Sequence, residues 1–361
     1  MEKTVYHDLQ ELFDTLPNGY PKAADELEIK ILKKIYNEEE AGITLQLKIN
    51  WETPDQIAER TGMDLDYLKP KLDEMLDKGQ LGGVRVGPFR MFRLMPFVIG
   101  IYEYQLNRMD QEFVEMTSVY MEKFAIPIMS KSGPAMMRVI PVEQEIPSAS
   151  TIEPYQTLTH YIENAQAWAV GDCICKKEKK MLGEGCDKPM EVCISIAPVP
   201  GFFDEYFWGR PITKEEAFKI LADCEEAGLV HATNNVKDAP FIICNCCSCC
   251  CGVMRGLIDL GNEGALAGSD YYAVIDQDEC ASCGVCEERC HVDAIDVSDD
   301  TYTVNQRCIG CGLCVSTCPA ESIVMVKRDE ADLPNIPQNE MVWLEEKDTA
   351  RGGSGEYKKL L

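Results

Sequence analysis

Apolar positions in the first part of the chain return at helical spacing. Residues 1–23 predict a short helix ended by Pro17-Asn18-Gly19-Tyr20-Pro21, a strong turn signal. Leu27, Ile31, Leu32 and Ile35 then fall on one helical face. Thr53-Pro54-Asp55 opens a helix carrying Ile57 and Ala58, with Thr61-Gly62 as its stop. Asp64 to Asp77 predicts another, striped by Leu65, Leu68, Leu72, Met75 and Leu76. Gly79 and Gly82-Gly83 precede an apolar run, Val84 to Met95, that reads as a two-stranded wing. Tyr102 to Phe124 predicts one long helix, with Tyr104, Met116 and Tyr120 as packing residues. Pro127, Pro134, Pro141, Pro147 and Pro154 break regular structure over 125–155 and predict a linker or wrapping segment. Further on, Thr213 and Glu216 form a capping box before Ala217, Ile220, Leu221 and Cys224, and Gly228 ends that helix. Cys224 thereby reads as a core residue rather than a ligand, and His231 as a satisfied histidine.

Helix, helix, helix, wing over residues 24–95 resembles a winged helix–turn–helix, which implies DNA binding or a docking scaffold. Charge decides between them. This segment carries 14 acidic and 11 basic side chains, and its would-be reading helix holds Asp64, Asp66, Asp73, Glu74 and Asp77. A reading helix presents cations and amides to DNA. Only the wing is basic, through Arg85, Arg90 and Arg93. The whole chain, 361 residues long, has a formal net charge of -26. That excludes nucleic acid and anionic membrane as principal partners and favours proteins with basic docking surfaces. The first residues are charged and mixed, and the most apolar stretch, near Met95 to Ile101, is far short of the roughly 20 residues that span a bilayer. The reading is cytoplasmic. A homodimer or larger complex through the N-terminal helices fits it.

Cysteine changes the picture most. There are 19, an odd number clustered at short spacings. In a chain of this size that points to metal rather than a disulfide framework. Cys280-x2-Cys283-x2-Cys286-x3-Cys290 repeats 28 residues later as Cys308-x2-Cys311-x2-Cys314-x3-Cys318-Pro319. The pair resembles the bacterial two-cluster ferredoxin motif. Gly284 and Gly312 permit close approach of the loops to a cluster. The resemblance implies two [4Fe-4S] clusters with crossed ligation: Cys280, Cys283, Cys286 and Cys318 for the first, and Cys308, Cys311, Cys314 and Cys290 for the second. It also implies that each fourth cysteine begins a helix. Tetrahedral zinc does not require this spacing twice over. His291 stands where the second copy has Pro319 and reads as a tuning or docking residue. Residues 270–328 carry 11 acidic against 4 basic side chains, which steers basic redox partners.

Ten more cysteines form a second field: Cys173, Cys175, Cys186 and Cys193, then Cys244, Cys246, Cys247, Cys249, Cys250 and Cys251. Neighbours on an extended chain point apart, so Cys244 and Cys246 share one side and Cys247, Cys249 and Cys251 the other. Such a loop serves two metal centres or one large one. Additional iron–sulfur centres, zinc, and structural vicinal thiols all remain open on the residues alone. Lys176, Lys177, Lys179 and Lys180 could offset thiolate charge or dock an anion, and Arg255 is a second cation near the metal. No phosphate-binding loop is present, the glycines Gly261, Gly264 and Gly268 lack dinucleotide spacing, and nothing points to flavin.

The Pro-Asn-Gly-Tyr-Pro turn, the Cys-Ile-Cys-Lys element, the Asn-Cys-Cys-Ser-Cys-Cys-Cys loop and the closing repeat together resemble cysteine-rich ferredoxin-like iron–sulfur proteins of strict anaerobes. The resemblance implies electron transfer in anaerobic metabolism. The fold expected is α+β and multidomain. A winged-helix-like helical docking module spans 1–124, followed by a Pro-rich linker at 125–155. A central cysteine-rich, α-rich cluster domain covers 156–269, a two-cluster ferredoxin domain 270–328, and a tail 329–361. The function expected is a multi-cluster electron-transfer subunit of an oxidoreductase. The alternatives are a reductase with a catalytic central cluster and a redox-sensing winged-helix regulator.

Overall fold

A computed structural model describes residues 3–129, 133–146, 152–205, 208–262 and 264–361. Helices and strands are mixed along it, in an α+β arrangement. The N-terminal helices Val5–Thr15, Leu27–Ile35, Glu38–Thr44, Pro54–Thr61 and Leu65–Asp77 precede the antiparallel hairpin β1 (Gly82–Val86) and β2 (Phe89–Arg93). Local chemistry sets their ends. Thr53 and Gln56 cap each other across the first turn, Pro54 sits where no amide is needed, and Gly62 closes the helix in the left-handed region at φ 74°. The long helix expected over 102–124 is instead broken. Tyr102–Tyr104 is a single turn, and Asp110 accepts from the Phe113 amide at 2.9 Å to start a new helix, Gln111–Tyr120.

The wing arginines are all engaged by carboxylates. Arg85 meets Asp77 at 2.6 Å, Arg90 meets Asp73 at 3.7 Å and Glu205 at 3.6 Å, and Arg93 meets Glu340 at 2.9 Å.

The central region departs from the α-rich expectation. Its frame is a seven-stranded sheet in the order β6-β4-β5-β8-β7-β3-β9. The strands are β3 (Met137–Val139), β4 (Ala167–Asp172), β5 (Glu191–Ala197), β6 (Arg210–Ile212), β7 (Val230–Asn234), β8 (Ile242–Cys246) and β9 (Leu266–Ala267). β3 pairs antiparallel with β7 and parallel with β9. It comes from the proline-rich stretch expected as a linker. Pro134 and Pro141 flank the strand rather than interrupt it, so they cost the ladder no donor. Arg138 on β3 is wholly buried, and its guanidinium donates to the Tyr155 carbonyl at 2.6 Å and the Tyr161 hydroxyl at 2.7 Å. Pro147, and the residues around it at 147–151, lie outside the described residues.

The C-terminal module carries β10 (Tyr271–Ile275) paired antiparallel with β13 (Ile323–Lys327), and the hairpin β11 (Ile295–Ser298) with β12 (Thr301–Val304). Residues 329–361, expected as a tail, fold back on the body. The helix Glu340–Ala350 buries Trp343 and Leu344, and the Trp343 indole donates to the Ala135 carbonyl at 2.8 Å. Arg351 donates to the carbonyls of Leu16 at 2.9 Å and Pro17 at 3.1 Å, which fastens the end of the chain to the first turn.

Candidate metal centres

The two cysteine runs of the C-terminal module fold as matched loops. Gly284 (φ 80°) and Gly312 (φ 82°) each open a short helix, Val285–Arg289 and Leu313–Ser316. The fourth cysteine of each run follows this helix rather than beginning another: Cys290 caps the first, and Cys318 lies just past the second. The runs cross. Cys280, Cys283, Cys286 and Cys318 line one cavity of about 310 Å³, and Cys290, Cys308, Cys311 and Cys314 line another of about 410 Å³. Backbone amides aim at these sulfurs. The Ala294 amide donates to Cys290 Sγ at 3.2 Å. Burial raises the Cys318 thiol, but the Ser322 hydroxyl and the amides of Ser322, Ala320 and Ile323 outweigh it and leave the thiol below its ordinary range. Each cavity therefore offers four thiols with N–H groups pointing at sulfur, a donor set that fits an iron–sulfur cluster.

The two cavities differ in position. Cys283 is exposed and flanked by the exposed Asp278, Glu287 and Glu288. Cys290, Cys308 and Cys311 pack against the main core, on which Cys175, Cys244, Cys246 and Cys251 also lie, and Cys290 and Cys308 pack as well in the module's own core with Cys280, Cys286 and Cys318. Several contacts hold the module there. Arg289 donates to the carbonyls of Glu225 at 2.6 Å and Glu226 at 3.2 Å, at the C-terminus of the helix Lys214–Glu226, where cations are favoured. His291 accounts for both ring nitrogens: Nε2 lies 2.6 Å from the Gly228 carbonyl and Nδ1 3.0 Å from Ser248 Oγ. It is an internal docking residue. Ser248 belongs to the central cysteine loop, so Cys290 and that loop are joined through one imidazole.

The ten central cysteines separate into six and four. The six come together because β4, β5 and β8 lie side by side in the sheet. Cys173 follows β4, Cys193 lies on β5, and Cys244 and Cys246 share one face of β8. Cys175 lies on the helix Ile174–Met181, and Cys251 caps the helix Gly252–Ile258. Contacts run from Cys193 to Cys244, Cys246, Cys251, Cys175 and Cys173 in turn. Cys251 thus joins Cys244 and Cys246, against the alternation expected from an extended chain, because β8 ends at Cys246 and a turn intervenes.

These six cysteines line a cavity of about 1130 Å³ whose other walls include Cys247, Val98, Ile99, Met137, Ile242 and Leu266. Hydrogen bonding to Cys175, then burial, pushes the Cys173 thiol well above its usual range. Contact with Cys193 and Cys244 respectively, together with burial, does the same for Cys244 and Cys246. Thiolates crowded in an apolar cavity ionise only with cations beside them, and metal supplies those. Lys176, buried at 2% exposure, reaches the same wall and donates to the Pro189 carbonyl at 2.8 Å. The rest of the expected lysine block is engaged elsewhere: Lys177 bonds the Leu106 carbonyl at 2.6 Å, Lys179 pairs with Glu184 at 2.6 Å, and Lys180 is exposed. Arg255 pairs with Asp259 at 3.0 Å and Glu122 at 3.6 Å.

The other four, Cys186, Cys247, Cys249 and Cys250, hold their sulfurs all within 4.8 Å of one another. Cys224 is fully buried against Cys247 and Cys250 in an apolar shell with Val192 and Leu229, outside this set. His231 is buried and bonded to Asn245 at 2.6 Å. Sequence reading missed Tyr102, Glu103 and Glu178 near the six-thiol cavity. Tyr102 donates to Glu178, whose carboxyl burial pushes upward. No motif marks them, since they meet only through tertiary packing.

A family model described as a 4Fe-4S dicluster domain matches residues 273–325. No curated protein and no solved structure matches the chain. The matched span contains all eight cysteines of the two crossed quartets. This match assigns the chain iron–sulfur cofactors and a part in electron transfer. Among the described residues, no helix is long and apolar enough to cross a membrane.

Proposed function

We propose that the chain is a cytoplasmic, multi-cluster electron-transfer subunit of an anaerobic redox complex. Cys280, Cys283, Cys286 and Cys318 would hold an outer [4Fe-4S] cluster, Cys290, Cys308, Cys311 and Cys314 an inner one, and the six-thiol cavity a further iron–sulfur centre. Such groups supply one-electron transfer without group transfer. The observation that carries the reading is the shared core. Three of the inner quartet's cysteines, Cys290, Cys308 and Cys311, pack against the core on which Cys175, Cys244, Cys246 and Cys251 also lie, while the outer quartet presents Cys283 and nearby exposed carboxylates to solvent. That arrangement supports an order of sites from surface to interior. The acidic rim suits a partner with a basic docking surface. Residues 24–95, winged-helix-like in element order, are read as a docking or dimerisation module, because their wing arginines are neutralised by carboxylates.

A second reading is a reductase whose central centre is catalytic. The apolar walls of the central cavity, and a volume well over twice that of either quartet cavity, favour it. Iron and acid-labile sulfide analysis of anaerobically purified full-length protein tests the main reading. Well over eight irons per chain is the expected result. Eight irons, all assigned by EPR to the two ferredoxin-type quartets, would remove the central centre and with it the relay.

A further inference from the structure

The tight four-thiol set does not have the dimensions of a cluster site. Cys186 Sγ lies 3.9 Å from Cys247 Sγ and 3.7 Å from Cys250 Sγ, and Cys249 Sγ lies 3.7 Å from Cys250 Sγ. A zinc ion bound by four thiolates has bonds of about 2.3 Å, so a regular tetrahedron around it has sulfur–sulfur edges of about 3.8 Å. In a cube each thiolate caps a different iron, which spreads the sulfurs to roughly 6 Å. The same molecule supplies a comparison. Among the described residues, the Cys186 set is the one group of three or more thiol, imidazole or carboxylate donors that closes to within 4.8 Å; the ferredoxin quartets do not.

We propose that Cys186, Cys247, Cys249 and Cys250 hold a single tetrahedral zinc ion, separate from the iron–sulfur centres. The donor set is all thiolate, soft, and free of histidine and carboxylate. Zinc outranks iron(II) for such ligands in the order of divalent affinities, and the four-sulfur tetrahedral spacing suits a single ion of it. The local structure is built for a closed site. Cys247, Cys249 and Cys250 come from one tight turn after β8, reinforced by the Cys251 amide donating to the Cys247 carbonyl at 3.1 Å. Cys186 comes from the connection between the helix Ile174–Met181 and β5. Val192, Leu229 and Cys224 form the apolar backing. The ion would pin the Cys186 connection to the turn on which Ser248 meets His291. Its role is then structural: it fixes the surface on which the ferredoxin module docks, and it carries no electrons itself.

The test uses the full chain purified without oxygen. Metal analysis is expected to give one zinc per chain in addition to the iron. Zinc K-edge absorption is expected to show four sulfurs at about 2.3 Å with no near metal neighbour. In the Cys249→Ser and Cys250→Ser variants zinc should fall several-fold while iron and sulfide per chain stay unchanged. If either variant fails to accumulate, the absorption measurement on the unmodified protein decides alone. Absence of zinc, iron in its place, or a parallel loss of iron in the variants would overturn the assignment. A normal zinc count with only eight irons would leave this site standing and defeat the central relay instead.

Discussion

Glu103 gives a quantitative check on how the wall of the six-thiol cavity is built. Its carboxyl accepts from the Gly100 amide at 2.6 Å, and its carbonyl accepts from the Trp208 indole at 2.7 Å. Burial pushes the carboxyl from 4.5 up to about 7, with the Gly100 amide pulling the other way. A raised carboxyl binds its proton more tightly folded than unfolded. The stability it contributes is complete below about pH 4.5 and is lost as pH rises through about 7. Between about pH 5.5 and about pH 8 the wild-type segment should lose about 2 kcal/mol from this group, at about 1.4 kcal/mol for each tenfold difference in proton affinity. Glu103→Gln keeps an acceptor for the Gly100 amide and cannot ionise. Its local stability relative to wild type should therefore rise by roughly thirtyfold in the opening constant over that range. Hydrogen exchange of a peptide covering residues 97–106 in the anaerobic full chain measures this opening. Taking the variant-to-wild-type ratio at each pH cancels the intrinsic pH dependence of exchange and the other titrating groups. A ratio that stays constant across the range would refute the proton-holding Glu103.

Cys318→Ser should abolish the EPR signal of the outer quartet and leave the inner one, because Cys318 lines the Cys280 cavity; loss of the inner signal alone would reverse the ligand assignment. Duplex DNA should not bind at micromolar concentration in physiological salt, since Arg85, Arg90 and Arg93 are already paired with carboxylates. Electron transfer with a basic partner should slow as salt shortens the Debye length below about 8 Å, and neutralising Asp278, Glu287 and Glu288 together should flatten that dependence; indifference to both would move docking away from the outer quartet. Lys347→Met should remove a pH-dependent component of stability. Burial lowers this amine to about 8, so wild-type stability should climb as pH rises from there toward 10.5, and the variant should lack that climb in thermal denaturation.

Local signals were the legible ones. The Thr53-Pro54 start, the Asp64 cap and the Thr213 cap each satisfy orphan amides within one turn, so a few residues suffice to read them. The repeated cysteine spacing is legible for the same reason, and the structure gathers its two runs into crossed quartets. The central sheet was not legible as a sheet. Its strands are short apolar runs such as Val192–Ala197, which periodicity alone does not separate from helix. β3 was hidden by prolines that flank it. The division of the central thiols was also out of reach, because it depends on where β8 stops pairing, and on Cys186 being delivered by a connection distant in sequence from the turn it joins.

That division has a physical logic. β8 ends in the chain's densest thiol sequence, and a strand followed at once by a turn sends ligands to two sides. Cys244 and Cys246 face the sheet's cavity with Cys193 from β5 and Cys173 beyond β4. Cys247, Cys249 and Cys250 turn away to meet Cys186, and Cys251 returns as the cap of the next helix. Pooling ten thiolates around one centre would gather far more negative charge than one cluster neutralises, at a depth where Lys176 is the only lysine lining the cavity among the described residues. Splitting them would give each proposed centre its own metal charge. It also lets one short strand and one turn position two centres rigidly with respect to each other. The Ser248–His291 contact then extends that rigidity to Cys290, so the inner quartet, the turn and the six-thiol wall are held by the same few residues. An electron-transfer chain needs that fixed spacing more than it needs motion. The part-buried contacts made by His291 and Arg289 supply it.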